Sequence, residues 1–216
     1  MTNPSHYSSW ELVLQAEKKK HTTIGRRYRT AGSSLFFYKF LFRLVRYTRP
    51  KTILELGTNF GMSALSMHRA APHAKLITIE GCPQTAHFAS QLFAQRKSSI
   101  TLLQGPFEQQ LPHALAQLGQ IDFAFIDGNH RKEATIRYFR QLLPFTHSST
   151  ILLFDDIYWS KGMHEAWCSI IQHHSVRFSA DFFFAGMLAF RTQQVVPLHL
   201  KLIMHRLKPW QMGFFN

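Results

Sequence analysis

Cysteine is scarce in this sequence: Cys82 and Cys168 are the only two among 216 residues. That excludes a small fold stapled by several disulfides and makes a reducing compartment the expectation. No run of about 18 uncharged apolar residues occurs, so there is no candidate for a membrane-spanning helix. The first residues lack a charged-then-apolar secretion pattern, and the expected location is cytoplasmic. Acids are few, 12 Asp and Glu against 25 Lys and Arg, for a formal net charge of +13. Internal repeats and low-complexity linkers are absent as well. What is present is a core: hydrophobic residues make up 45% of the chain, enough for one full globular domain.

The positive charge is unevenly placed. Residues 1–51 hold 11 Lys/Arg against 2 Asp/Glu, residues 52–191 hold 11 against 10, and residues 192–216 hold 3 against none. A solvated surface and an anionic partner both account for basic ends, and both readings stay open.

Between residues 52 and 156, apolar runs alternate with segments of helical length. The runs are T-I-L-E-L (52–56), K-L-I-T-I-E (75–80), I-T-L-L (100–103), I-D-F-A-F-I-D (121–127) and T-I-L-L-F-D-D (150–156). Helices are expected near 60–70, 83–96, 107–117, 131–142 and 161–173. Strands this uniformly apolar, joined by helices, predict a parallel sheet covered on both faces. Residues 176–179 and 182–190 add two strands too close for a crossover, hence an antiparallel hairpin. Upstream, Ser8 and Glu11 have capping-box spacing ahead of a helix running to about Lys20. A further helix near 34–48 carries Lys39, Arg43 and Arg46 on one polar stripe, which argues for packing on the domain rather than on a membrane surface. The expectation is one α/β domain, 1–216: a basic helical cap (1–50), an α/β core (51–191) with a mostly parallel seven-stranded sheet, and a C-terminal extension (192–216).

In such a sheet, ligands bind beyond the carboxyl ends of the strands, where strand order reverses. The first strand runs into I-L-E-L-G-T-N-F-G-M-S (53–63), with glycines four apart opening a helix. Gly57 suits a sharp turn and Gly61 a close backbone approach to a ligand at a helix N-terminus. The second strand ends in Glu80, 23 residues after Gly57, near the distance at which an acid meets ribose hydroxyls. Capping the helix that begins near Pro83 is the plainer role for Glu80. The glycine spacing is not that of a dinucleotide loop, which argues against a NAD-dependent dehydrogenase.

E-L-G-T-N-F-G-M-S followed by I-T-I-E-G resembles the first two motifs of class I S-adenosylmethionine-dependent methyltransferases, over about residues 50–191. The resemblance implies their Rossmann-like fold and S-adenosylmethionine as cofactor. It implies that Glu55 organises the loop and the cofactor's amino-acid end, that Gly57, Thr58, Asn59, Gly61 and Ser63 form that loop, and that Glu80 holds the ribose. Q-G-P-F-E (104–108) stands where the family holds adenine, which points to Gly105 and Phe107, with Glu108 beside them.

The fourth strand ends in I-D-G-N-H-R-K-E (126–133) and the fifth in F-D-D-I (154–157). If these strands are neighbours, Asp127, Asp155 and Asp156 gather at one rim. Crowded carboxylates repel unless protonated, hydrogen-bonded or bridged by a cation, and hard oxygen ligands suit Mg²⁺ or Mn²⁺. This constellation is similar to metal-dependent O-methyltransferases of the catechol and macrolide-sugar types. The sugar-modifying branch places a His three residues after the first Asp, as His130 stands here, where the catechol branch has Lys. The resemblance implies that Asp127, Asp155 and Asp156 bind the metal, that Asp127 also borders the cofactor, and that His130 takes the acceptor's proton. Each residue also has a plainer role: a helix cap for Asp127, a loop hydrogen bond for one of Asp155 and Asp156, solvent contact for His130.

The function expected is O-methylation of a small or sugar-conjugate hydroxyl. The basic segment Lys18, Lys19, Lys20, Arg26, Arg27 and Arg29 suggests an anionic acceptor, with peripheral membrane contact and a homo-oligomer left open. One rival is a nucleic-acid methyltransferase using that segment, against which stands the lack of an N-P-P-Y-type motif or an RNA-binding module. The other is a non-catalytic binding protein of the same fold, at odds with the presence of Asp127, His130, Asp155 and Asp156 together.

Overall fold

A computed structural model describes residues 35–190 and 196–202. The helix expected at Ser8–Lys20, the basic run from Lys18 to Arg29 and most of the 192–216 extension lie outside the described residues. The elements run α1 (Leu35–Thr48), β1 (Thr52–Leu56), α2 (Met62–Ala70), β2 (Lys75–Glu80), α3 (Pro83–Gln95), β3 (Ile100–Gln104) and α4 (Phe107–Leu118). They continue with β4 (Phe123–Ile126), α5 (Lys132–Leu142), β5 (Ile151–Asp155), α6 (Lys161–Ile171), β6 (Phe178–Asp181), β7 (Ala185–Ala189) and β8 (Leu198–Lys201).

The strands form one sheet in the order β3-β2-β1-β4-β5-β7-β6-β8. The first five pair in parallel, and β7 runs antiparallel to both β5 and β6, as the close spacing of the last two expected strands required. Alternation along each strand decides which face a side chain covers. Leu54, Leu56, Ala124, Ile126, Leu152 and Phe154 turn toward α4, α5 and α6. Ile53, Phe123, Phe125 and Leu153 turn the other way, toward α1, α2 and α3. A helical layer on each side is why these strands read as unbroken apolar runs. Helix α1 buries Phe37, Leu41 and Val45 at four-residue spacing and leaves Lys39, Arg43 and Arg46 exposed.

Two departures from expectation concern the carboxyl-terminal part. Phe182 to Phe184 form the β6–β7 turn rather than strand, because Asp181 Oδ1 accepts from the Phe183 N–H at 2.8 Å and the Phe182 N–H reaches the Ala185 carbonyl at 2.9 Å. Among the described residues the sheet also has eight strands, not seven: β8 pairs in parallel with β6. All four of its residues are exposed, so no buried run announced it.

The amino end of the sheet is clamped by Asp122. Its carboxylate accepts from the backbone N–H groups of Lys51 and Thr52 at 2.6 and 3.0 Å and contacts His147 Nε2 at 2.8 Å. Burial pushes the Asp122 carboxyl up, but these partners prevail and hold it below the usual range. The strand order reverses between β1 and β4, so the crevice at a topological switch point opens at the opposite, carboxyl end.

Candidate active site

Gly57 follows β1 with φ +101° and Gly61 opens α2 with φ +83°, conformations that favour glycine at both. Their surroundings are more specific. A Cβ on Gly57 would stand 1.9 Å from the Asp127 carbonyl oxygen, so the loops after β1 and β4 meet here with no room for a side chain. The Asp127 N–H donates to the Leu56 carbonyl at 2.8 Å across the same seam. A Cβ on Gly61 would stand 2.7 Å from the Phe93 ring, so contact with α3 accounts for this glycine without a ligand.

Glu55 is fully buried beneath the loop, on the α2 side of the sheet. Its Oε2 accepts from Thr78 Oγ1 at 2.5 Å, and Thr78 Oγ1 lies 2.6 Å from Thr58 Oγ1 in the loop. Because Thr78 gives its one hydrogen to the carboxylate, Thr58 is the donor in the second bond. Among the described residues, Glu55 Oε1 is buried with no hydrogen-bond partner. Burial lifts the Glu55 carboxyl to about 8, against the pull of the Ser63 and Thr78 hydroxyls and with the help of Asp127 and Glu80 nearby.

Glu80 braces two loops. Oε2 accepts from the Asn59 N–H at 2.7 Å and Oε1 from the Cys82 N–H at 2.9 Å, just ahead of α3. Each oxygen keeps a further lone pair, so this partial capping leaves acceptor capacity for hydroxyls. Gly105 follows β3 and its N–H donates to the Glu80 carbonyl at 2.9 Å. Phe107 opens α4 with its ring over Gly128 and edge-on to Tyr138 at 5.7 Å. Glu108 is occupied otherwise, accepting from Arg137 at 2.6 Å and from the Tyr138 hydroxyl at 3.2 Å.

Strands β4 and β5 are neighbours, so Asp127 and the Asp155–Asp156 pair do share one rim. Burial first, then the charges of Asp156 and Glu80, raise the Asp127 carboxyl to about 7. Burial and the charges of Asp127 and Asp156 raise that of Asp155 to about 8. His130 Nε2 stands 3.6 Å from Asp127 Oδ1, both side chains about one quarter exposed at 28% and 24%. Asp156 has φ +53°, its N–H bonded to the Phe184 carbonyl at 3.0 Å and its own carbonyl accepting from the Trp159 N–H at 2.9 Å. That turn carries the Trp159 ring to 6.1 Å from the ring of His130.

Glu55 Oε1 under the loop and the spare acceptor capacity of Glu80 fit a ligand that brings hydroxyls and a cationic group. Asp127, Asp155 and Asp156 offer oxygen alone, the donor chemistry of Mg²⁺ or Mn²⁺. Among the described residues no group of three or more His, Cys, Asp or Glu side chains stands ready to hold a metal ion. A cation would have to draw the carboxylates together. Two residues of the site escaped the sequence reading, Thr78 and Trp159. Thr78 is the register partner of Glu55, so two polar residues at matching places in adjacent apolar strands were the available signal.

Residues 54–157 match a protein family described as a methyltransferase domain. Catechol O-methyltransferase of Niastella koreensis is 32% identical over 123 residues, which cover 55% of this chain and 55% of that protein. Catechol O-methyltransferase of Sus scrofa is 32% identical over 124 residues, 53% of this chain and 64% of that protein. The chain thus spans less than two thirds of either relative. The O-methyltransferase from Bacillus cereus, solved in complex with SAH, shares the fold at a TM-score of 0.66 and 20% identity, covering 83% of this chain and 89% of that one. The match runs from β1 to the loop after β5, the stretch that builds the crevice described above, and this part of the chain is similar to methyltransferase domains.

Proposed function

We propose that this chain is an O-methyltransferase that moves the methyl group of S-adenosylmethionine to a hydroxyl of a small acceptor, with a divalent cation beside it. The observation that carries the reading is the approach of His130 Nε2 to Asp127 Oδ1, 3.6 Å, at the mouth of the crevice next to the glycine loop. When bound, S-adenosylmethionine supplies an electrophilic methyl carbon on a sulfonium sulfur, and the cation supplies Lewis acidity.

The protein's own residues divide the work. Glu80 accepts from the ribose hydroxyls, Glu55 and the 57–61 loop face the amino-acid end, and Gly105 and Phe107 border the adenine. Asp127, Asp155 and Asp156 are the groups that would hold the cation, and their mutual charge repulsion favours it. His130 takes the acceptor's proton, and the neighbouring Asp127 carboxylate stabilises the imidazolium that forms. Trp159 shields one side of His130 from water. The basic segment between Lys18 and Arg29 favours an anionic acceptor such as a phosphorylated or carboxylated sugar conjugate.

Calorimetric titration with S-adenosylhomocysteine tests the cofactor. Binding is expected to raise stability by about 2.7 kcal/mol at a hundredfold excess over Kd, with no response to NAD. Binding of NAD in place of S-adenosylhomocysteine overturns the reading. Methyl transfer is expected to stop in excess EDTA and in Asp155→Ala, with S-adenosylhomocysteine binding retained. Full activity in EDTA removes the cation from the proposal.

A further inference from the structure

Asp181 is a buried carboxylate at the carboxyl edge of the sheet that the proposed reaction does not use. It ends β6 and is only 8% exposed. Protein donors engage both of its oxygens. Oδ1 accepts from the Phe183 N–H at 2.8 Å and Oδ2 from the Tyr158 hydroxyl at 2.6 Å.

The two bonds lead to one place. Through Phe183, Asp181 shapes the β6–β7 turn, which closes with the Phe182 N–H on the Ala185 carbonyl at 2.9 Å. The Phe184 carbonyl of that turn accepts from the Asp156 N–H at 3.0 Å. This rung lies one step beyond Asp155↔Ala185, the last register pair of β5 and β7. Through Tyr158, Asp181 holds the same segment again, two residues after Asp156. One buried carboxylate thus fixes Asp156 from both sides.

Asp156 is a residue that depends on such support. Its φ of +53° lies in the left-handed region, which a residue other than glycine keeps only where its surroundings hold it. The Tyr158 end of the link is itself stiff. Its ring stacks on Phe183 at 5.4 Å and on His164 of α6 at 4.7 Å, and Lys201 of β8 stands 5.4 Å over it. The next residue is Trp159, whose ring lies 6.1 Å from that of His130. The segment that Asp181 braces therefore carries one rim carboxylate and one neighbour of the candidate base.

We propose that Asp181 is a positioning residue for the carboxylate rim, fixing the backbone of Asp156 so that its side chain stays with those of Asp127 and Asp155 for a divalent cation. This role rests on the cation of the proposed function. Three carboxylates have to converge there, and a rim whose backbone is already fixed loses less conformational freedom on binding. The plainer role, shaping a hairpin turn, entails a loss of stability in variants with no change in cation affinity.

The test is titration of the full chain with Mn²⁺ at saturating S-adenosylhomocysteine, read by the electron paramagnetic resonance signal of free Mn²⁺. Wild type is expected to bind the ion. Asp181→Ala is expected to weaken binding about tenfold, as for other residues that orient metal ligands. Tyr158→Phe keeps the ring and loses only the hydroxyl; a weaker affinity is expected, and this variant decides the matter if Asp181→Ala fails to fold. Asp181→Asn keeps an acceptor for the Phe183 N–H and a polar partner for the Tyr158 hydroxyl, and is expected to restore the affinity. S-adenosylhomocysteine affinity is expected to be the same in all of them. Wild type that binds S-adenosylhomocysteine but no Mn²⁺ removes the cation and this role with it. Wild type that binds Mn²⁺, with either Asp181→Ala or Tyr158→Phe binding it as tightly, overturns the positioning role and leaves the cation standing. Lost affinity that Asp181→Asn does not restore overturns it as well, because the charge of Asp181 and not its two bonds would then act on the ion.

Discussion

Glu55 holds one oxygen against Thr78 and buries the other with no hydrogen-bond partner among the described residues. Its carboxyl, lifted to about 8 in the fold, stays protonated where the unfolded chain has already released its proton. The native state therefore binds more protons than the unfolded state from roughly pH 4.5 up to 8, and stability falls as pH rises through that window. Glu55→Gln mimics the protonated form. Its melting temperature is expected to match wild type near pH 5 and exceed it near pH 9, and a constant offset across this range would count against the assignment. At His130 the expectation is kinetic: His130→Ala should lower kcat by ~10²–10⁴-fold with S-adenosylhomocysteine affinity unchanged. An unaltered kcat would return His130 to a solvent-facing loop residue. Spacing marked Glu80 as a candidate, while Glu55 and Asp127 were named by their places at strand ends and by the methyltransferase resemblance. The Thr58–Thr78–Glu55 chain was not, since it exists only once β1 and β2 are in register.

At the scale of elements, the two ends of the sheet are treated differently. The carboxyl end gathers unpaired or crowded carboxyls, whereas Asp122 at the amino end is satisfied by β1 backbone and by His147. Asp122→Ala is expected to cost about 1.5–3 kcal/mol at pH 7, the range for a hydrogen-bonded charge. A carboxyl held below its usual range contributes stability that is present above the unfolded value of 3.8 and lost as pH falls through the folded one. The gap between variant and wild type in urea unfolding should therefore close in strong acid; a gap that persists there would mean the loss is one of packing. Strands β1, β2, β4, β5 and β7 were legible because each buries apolar residues on a fixed period, and half-buried β3 by its apolar run I-T-L-L. Strand β8 was not, because its four residues L-H-L-K are exposed and held by backbone pairing to β6. The glycine loop was legible as a loop, yet the reason for Gly61 lay in Phe93, a residue 32 positions later that only the packing of α3 brings near.

For the whole molecule, charge separates a near-neutral core from basic ends. If the acceptor is anionic, its KM should rise with ionic strength while kcat holds, because exposed charges are screened beyond about 10 Å at 0.1 M salt. Arg26→Ala combined with Arg27→Ala should flatten that rise, and a neutral preferred acceptor with a flat KM would overturn it. The strand order also bears on how the chain is made. Strand β1 sits between β2 and β4, and its partner on the second side, at Ile53↔Phe123, lies 70 residues downstream. A ribosome adding about 5–20 residues per second exposes β1, β2 and β3 for several seconds before β4 can close the open edge of β1. During that interval the unpaired backbone edge of β1 is a template for any other strand, so the yield of native protein on refolding is expected to fall as chain concentration rises.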